Sequence, residues 1–550
     1  MDQPPETVGV VGAGTMGAGI AQLACLAGCR TLLHDPDPDA LARGLAAVAA
    51  ALDKGALRGR WSEDEAAAAA ERLEPAETLE QLAPCELAIE AAPESLELKQ
   101  ELFGRLSRIV APDCVLATNT SSLPVTAVAA GAERPERVVG MHFFNPPPLM
   151  RLLEVVAGVH TGERALAVAR AAGAAMGKHV IDAADGPGFV VNRVNRPFSL
   201  EAQRLLSERI ADHAEIDRIC RLGGGFRMGP FELMDLVGVD VGLDIARSFH
   251  AQSFGEPRWR PSPLVARMVA AGLTGRKAGR GFYDYRDGAH RPDDPAPPEH
   301  PPGAGELDGA LVVVAGDTVL AHELLDLGAA VGFDTRTPAE ADGELPFLIL
   351  DCGAGDDDPP LQGGPQALLL HEGSLAALDP GGAAVGFHAL PPLAPGTLVE
   401  LTRGAAGPGS DAAAAAAERF FAALGCPLAW VGDAPGLVLG RIVCQLANEA
   451  AFAVGEGVGS PADVDAGVVL GLNFPRGILA WADEIGLDHV LSVLDALARE
   501  YGEERYRAAP LLRRLVLSER LGRPTGEGFL RDPDVDDDPD GGAAGHRERA

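Results

Sequence analysis

The chain has 550 residues, 47% hydrophobic and 23% charged, a globular balance that predicts three to five domains at about 100–200 residues each. Its 46 Lys and Arg against 79 Asp and Glu leave a net charge of −33, which argues against nucleic-acid binding and against anionic membrane surfaces. No apolar run reaches the ~20 residues that cross a bilayer, Met1 to Glu6 is polar rather than a secretory leader, and the eight cysteines form no CxxC pair, so a cytoplasmic protein with reduced thiols and no metal site is expected.

In chain order, Thr7 to Val11 predicts a strand, Met16 to Ala27 a helix and Arg30 to His34 a second strand. Between the first two lies Gly12-Ala13-Gly14-Thr15-Met16-Gly17, a GxGxxG turn, and Asp35 follows the second strand. In that setting Gly12 permits the tight turn, Gly14 lets backbone approach a pyrophosphate, and Gly17 allows close helix–sheet packing. The helix N-terminus favours the anion, while Asp35 accepts from a ribose hydroxyl and repels a 2′-phosphate, so NAD is expected rather than NADP. The plain alternative is a glycine turn with Asp35 as a capping acid.

Further strands are predicted at Leu87 to Glu90, Val115 to Thr118 and Val138 to Met141, separated by helical patterns. Such alternation predicts a doubly wound parallel sheet, and from Pro187 to about Tyr285 the pattern turns helical. Asn119-Thr120-Ser121-Ser122 follows a strand, His142 is expected just after one, Glu154 lies in LLEVV and Asn192 in GFVVNR. Strand ends face the ligand crevice of such a sheet, where Ser121 and His142 would converge. A His–carboxylate pair moves a proton at neutral pH, and Ser and Asn beside it would hold a hydroxyl or carbonyl oxygen. The bland reading is a satisfied core histidine and a strand-ending glutamate.

Residues 287–307 form a Pro- and Asp-rich linker and 532–550 an acidic tail with little to fill a core. The halves on either side of the linker resemble each other. PGFVVNR at 187–193 matches PGLVLGR at 435–441, FRMGPFELMDLVGVD at 226–240 matches FPRGILAWADEIGLD at 474–488, and GRKAGRGF at 275–282 matches GRPTGEGF at 522–529. Near-constant spacing over about 100 residues reads as a tandem duplication. The expected division is 6–185 NAD-binding, 186–286 helical, 308–432 a reduced Rossmann-like domain and 433–531 a second helical domain.

The stretches VGVVGAGTMGAGIA, AIEAAPESLELKQELF, NTSSL, GMHFFNPPP, LLEVV, PGFVVNR and MGPFELMDLVG, in this order over residues 6–285, resemble the L-3-hydroxyacyl-CoA dehydrogenase family. The resemblance implies a Rossmann domain followed by an all-α domain, an acyl-CoA substrate and NAD. It implies His142 as general base with Glu154 as its partner, Ser121 and Asn192 on the substrate's 3-oxygen, and Asp35, Glu94, Lys99 and Asn119 at the NAD site. At the CoA end the insertion at roughly 40–75 is Ala-rich, with Lys54, Arg58 and Arg60 as its cations; they would meet the CoA phosphates or form a solvated turn. Long bacterial members with a reduced second domain are associated with phenylacetate catabolism and act on 3-hydroxyadipyl-CoA or 3-hydroxybutyryl-CoA. Other readings on the same scaffold are a gulonate-type hydroxy-acid dehydrogenase and a non-catalytic NAD-binding protein.

The second half reads as a worn copy. His388 and Glu400 keep the spacing of His142 and Glu154, but Gly440 stands for Asn192 and Gly373 for Ser121. Aligning Thr318 with Thr15 sets Ala315, Asp317 and Leu320 opposite the three glycines. A helical insertion with its neighbouring strands is missing, so one active site per chain is expected. The two helical domains are expected to pair inside the chain as a pseudo-dimer, with a homo-oligomer as the other arrangement. Arg196, Arg227 and Arg151 stand as possible clamps for a terminal carboxylate, against a plain surface role.

Overall fold

The computed structural model describes residues 3–296, 305–353, 361, 363–404 and 407–531; the predicted tail at 532–550 and part of the predicted linker lie outside them. The chain folds as two compact units, each drawing on both halves. One comprises Met1–Val194, Ala251–Ser253 and Glu456–Asn473, and the other Asn195–His250, Phe254–Gly455 and the segment from Phe474 onward.

In the first unit the elements run β1 (Thr7–Val11), α1 (Thr15–Leu26), β2 (Arg30–His34), α2 (Pro38–Leu57), α3 (Glu63–Glu71), β3 (Leu73–Ala76), β4 (Leu87–Glu90), α4 (Leu96–Ile109), β5 (Val115–Thr118), α5 (Val125–Ala129), β6 (Val138–Phe143), β7 (Leu152–Ala157), α6 (Glu163–Ala175), β8 (His179–Ala184) and α7 (Val191–Val194). The strands form one sheet in the order β3-β2-β1-β4-β5-β6-β7-β8. Near-continuous apolar runs such as TVGVV and VLAT make strands buried on both faces, as a helix-covered sheet requires. Val8, Val10, Ile89 and Val139 pack on one face with Ile20 and Ala24 of α1 and Ala169 of α6.

Two expectations are corrected. The sheet is not wholly parallel: β6 and β7 run antiparallel, because the connection 144–151 is shorter than the dozen or so residues a parallel crossover needs. His142 does not follow a strand but lies within β6, with Glu154 of β7 directly opposite in the register.

The second unit begins with the helices α8 (Arg196–Ser207), α9 (His213–Gly224), α10 (Pro230–Val237), α11 (Val239–Gln252, whose last residues belong to the first unit) and α12 (Pro263–Ala270). Its sheet is built from β9 (Leu311–Ala315), β10 (Asp334–Arg336), β11 (Leu348–Asp351), β12 (Gln366–Leu369), β13 (Val385–His388), β14 (Val399–Arg403) and β15 (Leu428–Trp430), in the order β10-β9-β11-β12-β13-β14-β15. β13 and β14 are again antiparallel, with His388 opposite Glu400. Between β10 and β11 only the short helix Pro338–Ala341 replaces α2, α3 and β3, so a single strand, not several, is lost with the insertion. A helical segment follows, with long helices at Leu439–Gly455 and Leu487–Tyr501.

Duplication extends to hydrogen bonds. Asp235 accepts from the amides of Phe282 and Tyr283, and Asp483 from those of Phe529 and Leu530. The helical segments of the two halves meet through related ion pairs, Arg258 to Glu449 at 2.7 Å and Arg505 to Glu201 at 3.4 Å. Both pairs lie within the second unit.

Each half also lends a helix to the other half's sheet. In the second unit the amide of Gly432 donates to Ile210 O, just before α9, at 2.7 Å. In the first unit the second-half helix Pro461–Leu472 lies against β7, β8 and α7. Two glycines let it come close: a Cβ on Gly471 would sit 2.8 Å from Leu152 Cδ2, and one on Gly467 3.0 Å from Val191 Cγ2. Ala184 N donates to Val458 O at 2.9 Å, and the buried Arg193 pairs with Glu456 at 2.7 Å.

That packing makes the first unit dependent on the second half. Gly471→Val should destabilise the protein by about 1–3 kcal/mol through overpacking against Leu152 and Val191, read as a lowered midpoint in urea with an unchanged slope.

Candidate functional site

The glycine turn is built as its sequence predicts. Gly12 has φ +103°, and a Cβ there would lie 2.6 Å from Ala91 O. A Cβ on Gly17 would lie 1.7 Å from Gly12 O, so only glycine lets α1 start this close to the loop. Gly14 is the N-cap of α1, makes no side-chain cap and has open space where a Cβ would be, leaving the first amides of α1 for an anion. Asp35 accepts from Ala13 N at 2.8 Å and Asp37 N at 3.0 Å, so its carboxylate ties strand β2 to the loop. A cavity of about 650 Å³ is lined by Gly12, Gly14, Thr15, Met16 and Asp35, with Gly17 buried beneath. The open cradle and the acid beside it fit a dinucleotide.

Glu94, Lys99 and Asn119 do not line this cavity. Lys99 is 1% exposed and sits between two carboxylates, 2.6 Å from Glu90 and 3.4 Å from Glu94. Glu94 in turn accepts from the Thr120 hydroxyl, the amides of Ser121 and Ser122 and the Ser122 hydroxyl, at 2.7–3.1 Å. Burial alone would raise the Glu94 carboxyl, but the Thr120 bond, the Lys99 ammonium and the Ser122 bonds outweigh it and hold it below its usual value. Sequence reasoning named Glu90 and Thr120 but gave neither a role; a buried lysine on α4 is the signal that an acid must lie under it.

His142, 5% exposed, and Glu154, fully buried, meet across the antiparallel pair, with Nδ1 of His142 2.6 Å from Glu154 Oε2. The other oxygen, Oε1, accepts from the amides of Val190 and Val191, both at 3.0 Å. Glu154 therefore binds the imidazole on one side and, on the other, the turn that carries Asn192. Asn119 joins this group to the serine loop by accepting from Phe143 N at 2.8 Å, and Ser121 stands exposed on that loop. Lys54 is exposed in the last turn of α2, and the described contacts bring it to none of the others. Lys178, also given no role from the sequence, donates to Pro147 O and Met150 O and so holds the loop after His142; burial pulls its pKa down to about 8.

The second copy differs in wiring. The elements pair β1 with β9 and align α1 with Val319–Ala330, one position beyond the sequence alignment. Gly316, with φ +99°, therefore stands for Gly12, Thr318 for Gly14 and Ala321 for Gly17, rather than Ala315, Asp317 and Leu320. The Thr318 hydroxyl caps its own helix through Ala321 N at 3.1 Å, filling the position that Gly14 leaves open. His388 makes no bond to Glu400: its Nδ1 is buried without a partner, and its Nε2 lies 3.3 Å from Nε2 of His489. The ring occupies the space beside Gly440, where a Cβ would come 2.1 Å from Cε1. Glu400 keeps the two amides, of Val438 and Leu439, at 2.8 and 3.1 Å. Among the described residues no cluster could hold a metal, and no helix is long and apolar enough to cross a membrane.

A phosphate-ready glycine turn, an acid after β2 and a buried imidazole–carboxylate pair define a nicotinamide-dependent oxidoreductase of the Rossmann class. The family profile described as "3-hydroxyacyl-CoA dehydrogenase, NAD binding domain" matches residues 7–186, and "3-hydroxyacyl-CoA dehydrogenase, C-terminal domain" matches twice, at 188–285 and 436–532. The chain belongs to the 3-hydroxyacyl-CoA dehydrogenase family. It is 34% identical over 525 residues to the 3-hydroxyadipyl-CoA dehydrogenase of Escherichia coli (strain K12), covering 94% of this chain and 98% of that protein. It is 41% identical over 278 residues to a probable 3-hydroxybutyryl-CoA dehydrogenase of Bacillus subtilis, covering 50% of this chain and 96% of that protein. The crystal structure of a 3-hydroxybutyryl-CoA dehydrogenase from Escherichia coli K12 superposes with a TM-score of 0.79 at 33% identity, over 94% of this chain and 99% of that one.

The isolated Glu400 gives a pH signature. Burial raises its pKa from 4.5 to about 8, against the lowering effect of its two amide bonds. The folded chain then keeps a proton that the unfolded chain has lost, so this contribution is complete below about 4.5 and declines as pH rises through 8. Glu400→Gln should remove a loss of up to about 1.4 kcal/mol per pH unit. Melting midpoints from pH 6 to 9 should therefore fall less in the variant than in the parent.

Proposed function

We propose that the chain oxidises (S)-3-hydroxyacyl-CoA to 3-oxoacyl-CoA, with residues 6–185 holding NAD and one active site per chain. The observation that carries the reading is the buried His142–Glu154 pair at 2.6 Å. With Nδ1 held as a donor to the carboxylate, Nε2 is left as the free base. Nε2 takes the proton of the 3-hydroxyl, and Glu154 steadies the imidazolium that results. Ser121 and Asn192 hold the 3-oxygen. Bound NAD supplies the hydride acceptor; Gly12, Gly14, Thr15, Met16 and Asp35 would hold it, with Asp35 on the ribose. Glu94, Lys99 and Asn119 complete the NAD site, where Glu94 also fixes the backbone of Ser121 and Ser122 and Asn119 the strand that carries His142. Lys54 is assigned to the CoA phosphates, where an exposed cation on a helix end is free to reach them.

Acyl-CoA specificity separates this reading from a gulonate-type hydroxy-acid dehydrogenase. NADH should be oxidised with acetoacetyl-CoA and not with free keto-acids, and free hydroxy-acids should not reduce NAD. His142→Gln should lower kcat/KM by about 10²–10⁴-fold, with the dissociation constant for NADH, read by fluorescence, unchanged. A variant with near-parental turnover refutes the assignment.

A further inference from the structure

Ser121 and Ser122 stand on the loop between β5 and α5, and Glu94 holds its amide side by accepting from both residues. The carbonyl side has a partner of its own. Ser122 O accepts from Nε2 of Gln252 at 2.8 Å, across 130 residues of sequence. A carbonyl can only accept, so the contact also decides which end of the Gln252 amide faces the loop. Leu123 N, in the same peptide group as Ser122 O, donates to the Thr120 hydroxyl at 2.9 Å. All of these residues belong to the first unit, since Ala251–Ser253 fold with it.

The second copy makes the same contact with a different side chain. Gly140 and Gly386 each stand two residues before the strand histidine, and they lie opposite Thr118 and Leu368. At the far end of the loop, Asp185 accepts from the amides of Val125 and Thr126, and Asp433 from those of Leu375 and Ala376. The same spacing holds at both ends, so Ser122 corresponds to Glu372, and His371 rather than Gly373 takes the place of Ser121. Gln252 corresponds to Arg499, each three residues before the glycine that opens GEPRWR or GEERYR. Arg499 Nη2 donates to Glu372 O at 2.6 Å. Two unlike donors therefore reach one and the same backbone carbonyl, a group that needs a donor wherever water is kept from it. In the second copy this bond supports backbone alone. In the first, the supported residue follows Ser121 directly, so the bond sets where the Ser121 hydroxyl stands. We propose that Gln252 is a positioning residue of the reaction: by holding the Ser122 carbonyl it places the Ser121 hydroxyl for the substrate's 3-oxygen. This rests on the reaction proposed above.

The test is a double-mutant cycle on the full chain, with 3-hydroxybutyryl-CoA and NAD. Gln252→Ala should lower kcat by about 3- to 10-fold, the range of one hydrogen bond, and leave the dissociation constant for NADH unchanged. Ser121→Ala alone should lower kcat by about 10²-fold. Added to Ser121→Ala, Gln252→Ala should cost less than about 2-fold more, since a residue that acts through Ser121 has nothing left to place. Gln252→Arg, which brings the donor used in the second copy, should recover most of the loss. Gln252→Glu, of equal size but setting oxygen against oxygen, should not. A purely structural tie slows both backgrounds by the same factor, and that result overturns the proposal, as does an Arg variant no faster than the Ala variant. If the Ala variant does not fold, the ratio of the Glu to the Arg variant in the two backgrounds decides. An active parent unaffected by Ser121→Ala takes Ser121 out of the reaction and the proposal with it. A parent that oxidises neither 3-hydroxybutyryl-CoA nor 3-hydroxyadipyl-CoA refutes the reaction itself.

Discussion

The carboxylate of Glu154 is the point on which the first unit turns. A fully buried carboxylate is costly unless its oxygens are occupied. Here one oxygen takes the His142 ring and the other takes the amides of Val190 and Val191. The same charge thus fixes an imidazole on β6 and the entry to α7, two segments far apart in sequence. The second half shows what remains when one of these partners is lost. Glu400 keeps both amides and lacks the imidazole, and burial then raises its pKa to about 8. The turn survives this change: Phe189 and its counterpart Leu437 both hold positive φ, at 52° and 47°. The backbone of the site is therefore set by the acid and the amides, and the histidine is added to a frame that stands without it.

The retained second copy has a structural role in packing. Its helix Pro461–Leu472 covers β7 and α7, the elements that carry Glu154 and Asn192. The paired helical segments within the second unit bury Arg441 at 0% exposure against Glu201, with Tyr506 hydrogen-bonded to both. Removing either partner of a buried pair leaves an uncompensated charge, which is more damaging than never having had the pair. Such contacts resist loss even where the chemistry of the copy has gone.

How much was legible in the sequence follows from the range of the forces involved. β1, β2, β4 and β5 are bounded by the same residues in sequence and structure, because short apolar runs have one reading in a helix-covered sheet, and Gly12, Asp35 and Asn119 end three of them. His142 was set one element too late because GMHFF looks like the end of a run; only the short link to β7, which forces an antiparallel partner, keeps the strand going through Phe143. The glycine loop of the second half was misaligned by one residue because Thr15 and Thr318 look alike. Their roles differ: Thr15 begins its helix, whereas Thr318 caps one. The bonds by which Lys99 and Glu94 support the serine loop were not legible, because motifs report residue types and not depth.

That same one-residue shift explains why the second copy does not need a large change to lose its phosphate site. An N-terminal anion site needs free amides and room for oxygen atoms. Gly14 supplies the room by having no side chain, and a hydroxyl at this position takes one of those amides for itself, as Thr318 does with Ala321 N. The methyl of Ala321, in the place of Gly17, then requires the helix to start farther from the loop, since a Cβ at Gly17 would overlap Gly12 O. Both substitutions improve the helix as a helix, through a better cap and a better helix former. The residues that make the first copy bind a dinucleotide are the ones that make its helix start poorly satisfied when empty, and relaxing that constraint gains stability and loses the cofactor in the same step.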